Sequence, residues 1–112
     1  MRPLLAVFAS VATLLVAAAP AGGSVRLVSV TSPASPGTYA TLTARVSPSA
    51  SCSITVHYLS GPSRARGLYP KRPNGGRVTW AWMVGTRTTP GCWPIIVSCG
   101  RAGTLNTSFA VR

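Results

Sequence analysis

The chain has 112 residues, with eleven lysines and arginines, no aspartate or glutamate, and a formal charge of +11. Without side-chain carboxylates there is no glycosidase-type acid and base pair, no acid to orient a Ser-His dyad, and no cage of carboxylate oxygens for a hard cation. The unopposed positive charge predicts attraction to polyanions as a field effect, whatever the fold.

Residues 1-21 read as an export signal. Arg2 forms a minimal positive n-region, and Leu4 to Ala19 is an apolar run interrupted only by Ser10 and Thr13. Ala19-Pro20-Ala21 supplies the small-x-small pattern for cleavage after Ala21, since cutting after Ala19 would put Pro20 just beyond the scissile bond. The alternative is an uncleaved anchor, because a run of this length approaches what a bilayer span needs. No second apolar run follows. The expectation is a secreted or cell-surface protein whose mature part, 22-112, is one domain of about 90 residues with one small core and no membrane span.

From Ser24 onward, short runs of alternating polarity are punctuated by Pro, Gly and Ser, which is an all-β signature. Strands are predicted at Val25 to Val30, Thr38 to Val46, Cys52 to Leu59, Arg77 to Val84, Trp93 to Cys99 and Thr104 to Val111. Side chains alternate across a strand, so Ala40, Leu42, Ala44 and Val46 share one face while Tyr39, Thr41, Thr43 and Arg45 share the other. Cys52, Ile54, Val56 and Tyr58 form a second inward set, opposed by Ser53, Thr55 and His57. Val78, Trp80, Trp82 and Val84 form a third, and Leu105, Thr107, Phe109 and Val111 a fourth. Six or seven short strands with frequent turn signals fit two packed antiparallel sheets, an immunoglobulin-like β-sandwich.

The connections carry turn chemistry at Ser35-Pro36-Gly37, Asn74-Gly75-Gly76, Pro90-Gly91 and Gly100 to Gly103. One is long: Ser60 to Gly76 has 17 residues with three prolines and four glycines. Such a length marks either a functional segment or a short irregular edge strand. It also gathers charge, with Arg64, Arg66, Lys71, Arg72 and Arg77 in or beside it and Tyr69 among them. Arginine forks match phosphate bidentately and a tyrosine can stack on a ring, so these six residues are the candidate binding set for an anionic cell-surface polymer or nucleic acid. The bland reading is a solvated basic surface. Arg26, Arg45 and Arg101 lie outside this concentration and carry the same charge elsewhere.

Three cysteines in an exported domain suggest one disulfide and one leftover thiol. Cys92 and Cys99 lie on one predicted strand, roughly 23 Å apart if extended, too far for a bridge. Cys52 opens the third strand and Cys99 closes the fifth; these runs are expected to be antiparallel neighbours, which predicts a Cys52–Cys99 disulfide. Cys92 is then either an intermolecular or reactive thiol, linking two copies into a homodimer, or a buried or incidental cysteine in the turn before Trp93. A zinc site from the three cysteines and His57 has the right ligand types but fails on spacing and parity, and a Cys-His catalytic pair fails on the same geometry. No catalytic residue, metal or cofactor is expected. Trp80, Trp82 and Trp93 invite a carbohydrate platform, yet the first two share a face with Val78 and Val84, so core packing is expected. Asn106-Thr107-Ser108 matches a glycosylation sequon by chance, inside a strand.

The string Cys52-Ser53-Ile54-Thr55-Val56, the segments Ser60-Gly61-Pro62-Ser63, Gly67-Leu68 and Pro70-Lys71, the run Trp80-x-Trp82-x-Val84-Gly85, and Thr89-Pro90-Gly91-x-Trp93-Pro94-Ile95 leading to Cys99 together resemble small immunoglobulin-like modules of bacterial extracellular proteins. The resemblance covers about Val25 to Val111. It implies a β-sandwich with Cys52 and Cys99 paired, a non-catalytic binding or surface-interaction role, and another surface protein as a possible class of partner. Cys92 departs from the pattern, where a polar residue is expected.

Overall fold

The computed structural model describes residues 23-112, and the export-signal reading of 1-21 lies outside them. Seven strands form: β1 Ser24–Val30, β2 Tyr39–Ser47, β3 Ser53–Tyr58, β4 Gly61–Pro62, β5 Arg77–Met83, β6 Gly91–Ser98 and β7 Thr104–Val111. There is no α-helix among the described residues; a 3-10 turn at Gly100–Ala102 leads into β7. The six expected strands are all present within three residues of their expected ends. The seventh, β4, is the short edge strand anticipated inside the long connection.

The strands make two antiparallel sheets, one ordered β1-β2-β5 and the other β4-β3-β6-β7. Their inner faces meet in a core that includes Leu42, Ala44, Val56, Trp80, Trp82, Ile95, Val97 and Phe109, all buried. The alternation that placed Ala40 to Val46 and Val78 to Val84 on inward faces holds at every position: all eight are buried. Leu105 and Thr107 in β7 are only half-buried, because β7 is the outer strand of its sheet. Trp80 and Trp82 are core residues. Each satisfies its indole N–H inside the fold, Trp80 Nε1 donating to the Tyr69 carbonyl at 2.8 Å and Trp82 Nε1 to the Tyr58 hydroxyl at 3.3 Å. That is the condition under which burying a tryptophan is favourable.

The outer edges of the sandwich are covered rather than left open. On one side Ala34, after β1, crosses to the second sheet and pairs parallel with Val111, with Ala34 N donating to Ala110 O at 2.8 Å and Arg112 N to Ala34 O at 3.0 Å. On the other side the long connection laces the free edges of β3 and β5. Ser63 N donates to Val56 O at 2.7 Å, and Lys71 and Cys52 exchange backbone bonds of 2.9 and 2.8 Å, both along β3. Along β5, Asn74 N donates to Arg77 O at 2.8 Å and Lys71 Nζ to Thr79 O at 2.7 Å. A row of unpaired strand carbonyls templates aggregation, so this connection is first of all an edge cover. Gly67 passes so near the Ala81 carbonyl that a Cβ there would collide with backbone, and its φ of +97° already favours glycine.

The Cys52–Cys99 disulfide is present, between the start of β3 and the residue after β6. Ser53 pairs with Ser98, so the two cysteines are the next pair out on that ladder. The bridge therefore joins neighbouring strands of one sheet. Cys92, in contrast, lies within β6, not in a turn, and its side chain is exposed, which excludes the buried reading and leaves the incidental one.

Candidate functional site

The six residues singled out by charge concentration do not form one patch. Tyr39 pairs with Met83 at one end of the β2–β5 ladder and Arg45 with Arg77 at the other, six residues away, a span of about 20 Å at strand rise. Arg64 and Arg66 belong to the first end, where they line a groove of about 500 Å³ with Tyr39, Tyr58 and Met83. Arg77 belongs to the far end. The intervening chain descends along β5, which is why cations close in sequence are drawn apart.

Two of the six are engaged in holding the fold. Lys71 gives its backbone to Cys52 and one ammonium proton to Thr79 O, while its Nζ sits 5.2 Å from the centre of the Tyr69 ring. Tyr69 offers its carbonyl to Trp80 and keeps its ring exposed. An ammonium has three donors, so Lys71 retains capacity for an external acceptor. Arg64, Arg66, Arg72 and Arg77 are exposed.

Register places an arrangement that charge density along the chain does not reveal. Arg26 of β1 stands opposite Arg45 of β2, and Arg45 stands opposite Arg77 of β5. All three are exposed, on the outward face of the three-stranded sheet, because their neighbours Val46 and Val78 point into the core. Arg26 and Arg45 are thus not scattered charge remote from Arg77; they are in line with it. The adjoining row is hydroxylic, with Ser29 opposite Thr43, and Thr43 Oγ1 lying 2.9 Å from Thr79 Oγ1. Beyond it Thr31 Oγ1 and Thr41 Oγ1 lie 3.3 Å apart.

On the opposite sheet, the outward positions of β3, β6 and β7 hold no lysine or arginine. Its outward residues are Ser53, Thr55 and His57 on β3, Cys92, Pro94, Ile96 and Ser98 on β6, and Thr104, Asn106, Ser108 and Ala110 on β7. His57 is half-buried on that face, and the β3–β6 register sets it opposite Pro94, two positions from the exposed Cys92 on the same face, so the expectation that strand geometry keeps His57 and Cys92 apart is corrected; no cluster of three metal-ligating side chains exists among the described residues. The strand arginines are therefore one-sided, while the other cations sit in connections and at strand ends.

Among the described residues, Tyr58 has a displaced acidity: burial raises its phenol above the ordinary value, partly offset by the bond from the Trp82 indole. It lines the end groove, but no nucleophile and base pair accompanies it there. No helix among the described residues is long and apolar enough to cross a membrane.

No protein-family model and no curated protein matches this sequence. Among solved structures, the β-glucosidase from Listeria innocua in complex with glucose contains a similar fold, with 10% identity over 79% of this chain and a TM-score of 0.50. The chain corresponds to 16% of the length of that β-glucosidase. At such identity the likeness is one of fold alone.

Proposed function

We propose that this protein is an exported, non-catalytic immunoglobulin-like module that acts by binding. The immunoglobulin scheme supports the finer fold reading. With β1, β2 and β5 as strands A, B and E, and β4, β3, β6 and β7 as C′, C, F and G, the sheet orders correspond, and the lacing segment stands where strand D would run. Two departures qualify the match in kind. The disulfide ties C to F within one sheet rather than B to F across sheets, and the buried tryptophans stand on E rather than C. An extracellular setting agrees with the disulfide, since such bonds persist where the environment oxidises.

The observation that carries a binding role is the one-sided placement of strand arginines: Arg26, Arg45 and Arg77 line the outward face of β1, β2 and β5, while the outward positions of β3, β6 and β7 hold none, in a chain with no acidic residue. Polyanion binding is the second reading, and the arginine row favours it. Retention of residues 22-112 on a bacterial cell-envelope fraction at about 20 and about 300 mM salt separates the readings, because neutralisation of phosphates by Lys and Arg weakens steeply with salt. Retention at both concentrations supports recognition through the outer face of β3, β6 and β7, and retention only at low salt supports the polyanion reading. No retention at either would remove the binding role.

Cys92 adds an expectation for that face. It is exposed and opposite Ala110 on an outer face whose strand positions hold no lysine or arginine, so two copies can approach there. Under mild oxidation, non-reducing electrophoresis is expected to show a reducible dimer that Cys92→Ser abolishes. A wild type that stays monomeric while its thiol remains titratable overturns the disulfide-linked dimer.

A further inference from the structure

We propose that the outer face of the three-stranded sheet is a docking strip for a linear phosphodiester polymer, with Arg26, Arg45 and Arg77 as phosphate contacts and Lys71, Thr43 and Thr79 beside them. This rests on the polyanion reading and moves its site from the long connection to the sheet.

The argument begins with like charge. Residues directly opposite in an antiparallel pair have Cβ atoms about 5 Å apart, and like charges there repel. Arg45 has such a neighbour on each side, Arg26 and Arg77. In most proteins a glutamate or aspartate nearby relieves a row of this kind; this chain has neither residue anywhere. Relief must come from outside the chain, as an anion.

The chemistry of the row then narrows the anion. Guanidinium forks bind phosphate bidentately and keep their charge at every accessible pH. The hydroxyls of Ser29, Thr43 and Thr79 form the next row, and Ser and Thr are, with Arg and Lys, the usual side-chain partners of phosphate oxygens along a nucleic-acid backbone. The Lys71 ammonium adds a fourth cation at the β5 margin, held in place by Thr79 O at 2.7 Å. Three strands at about 4.8 Å spacing set the arginine backbones across about 10 Å, a length that spans successive phosphates of an extended chain. A single small anion satisfies one such fork; a polymer satisfies the row. An open sheet face suits a linear polymer, which needs no enclosing cavity.

The placement of the strand arginines argues against incidental basicity. Chance scatter of arginine over exposed strand positions would populate both sandwich faces, and the outward positions of β3, β6 and β7 hold none.

The test compares two triple variants of equal charge. Arg26→Gln/Arg45→Gln/Arg77→Gln removes the row, and Arg64→Gln/Arg66→Gln/Arg72→Gln removes the same charge from the long connection. Binding is measured against a 20-nucleotide oligothymidylate, a glycerol-phosphate polymer and polyglutamate across a salt series. The row variant should flatten the log–log salt slope for the phosphodiester polymers by about two, near 0.7 per lost contact with a single strand, and the connection variant by less than one. The row variant and Arg45→Gln alone should also melt a few degrees higher than wild type without ligand, because repulsion is removed.

Equal flattening by both triples would show that bulk charge alone matters, and greater flattening by the connection variant would return the site to residues 64-72; either overturns the strip. Polyglutamate binding as tight and as salt-sensitive as the phosphodiesters overturns the phosphate assignment. A lower melting temperature in Arg45→Gln overturns the repulsion argument. Tighter binding of oligothymidylate than of glycerol phosphate assigns the strip to nucleic acid, the reverse to a base-free polymer, and both outcomes support it. If wild type binds no polyanion, the polyanion reading itself fails, separately from the site.

Discussion

Replacing Cys52 and Cys99 together by alanine is expected to lower stability by about 4 kcal/mol, most of what a domain of this size has to spare. The residues are 47 apart, so the bridge removes the closure entropy of a long loop from the unfolded chain. Its position adds to that. Cys52 exchanges backbone bonds with Lys71, where the long connection returns to β3, and Cys99 N donates to Gly103 O at 2.9 Å in the turn that launches β7. Opening the bridge frees both junctions. Alanine is the proper replacement because both cysteines are buried, and a serine hydroxyl would add an unpaired polar group. Thermal melting should shift down by roughly 15–30 °C. A loss under about 1 kcal/mol would mean that the backbone pairing at Lys71 and Gly103 holds these junctions unaided.

Trp82→Ala should cost about 3–5 kcal/mol, the range for deleting a large aromatic from a packed core. Trp82 is fully buried and meets Phe109 edge to face at a centroid distance of 5.7 Å, the contact that couples the two sheets through β5 and β7. Tyr58→Phe isolates the hydrogen-bond share. It orphans the Trp82 indole N–H and should cost about 1–2 kcal/mol, well below the alanine variant. Equal losses would show that the polar handle, not the ring, dominates. The same melts, run against pH, carry a sign. Burial raises the Tyr58 phenol, so the neutral form is favoured in the fold; its stabilising share is full below the ordinary phenol value near 10 and is lost as pH rises through the raised one. On the acid side the curve should be nearly flat, since acid unfolding is driven mainly by protonating native carboxylates and this chain has none on its side chains.

Strand positions and inward faces were legible because alternation is a local property: each side chain's face follows from its neighbour's. Val78, Trp80, Trp82 and Val84 needed no partner to declare themselves as core. The disulfide was legible for a related reason, as parity and strand ends left one pairing with both cysteines at the same place. The long connection was half legible. Its length announced a special segment and an edge strand, but its charge density suggested a single patch that Gly67, Tyr69 and Lys71 dismantle by tying the segment down along β5.

The amino-acid sequence by itself determined an all-β domain, its core faces, its disulfide and a charge that only external anions can balance. Tertiary structure alone decided which cations stand together. Arg26, Arg45 and Arg77 are separated by long stretches of chain and become neighbours only through the registers of β1 on β2 and β2 on β5. Register is set by turns and by the fit of one buried face against another, and a shift of one residue would send every side chain of a strand to the opposite face. Charge read along the chain therefore gathers Arg64 to Arg77, whereas charge read across the sheet gathers Arg26, Arg45 and Arg77.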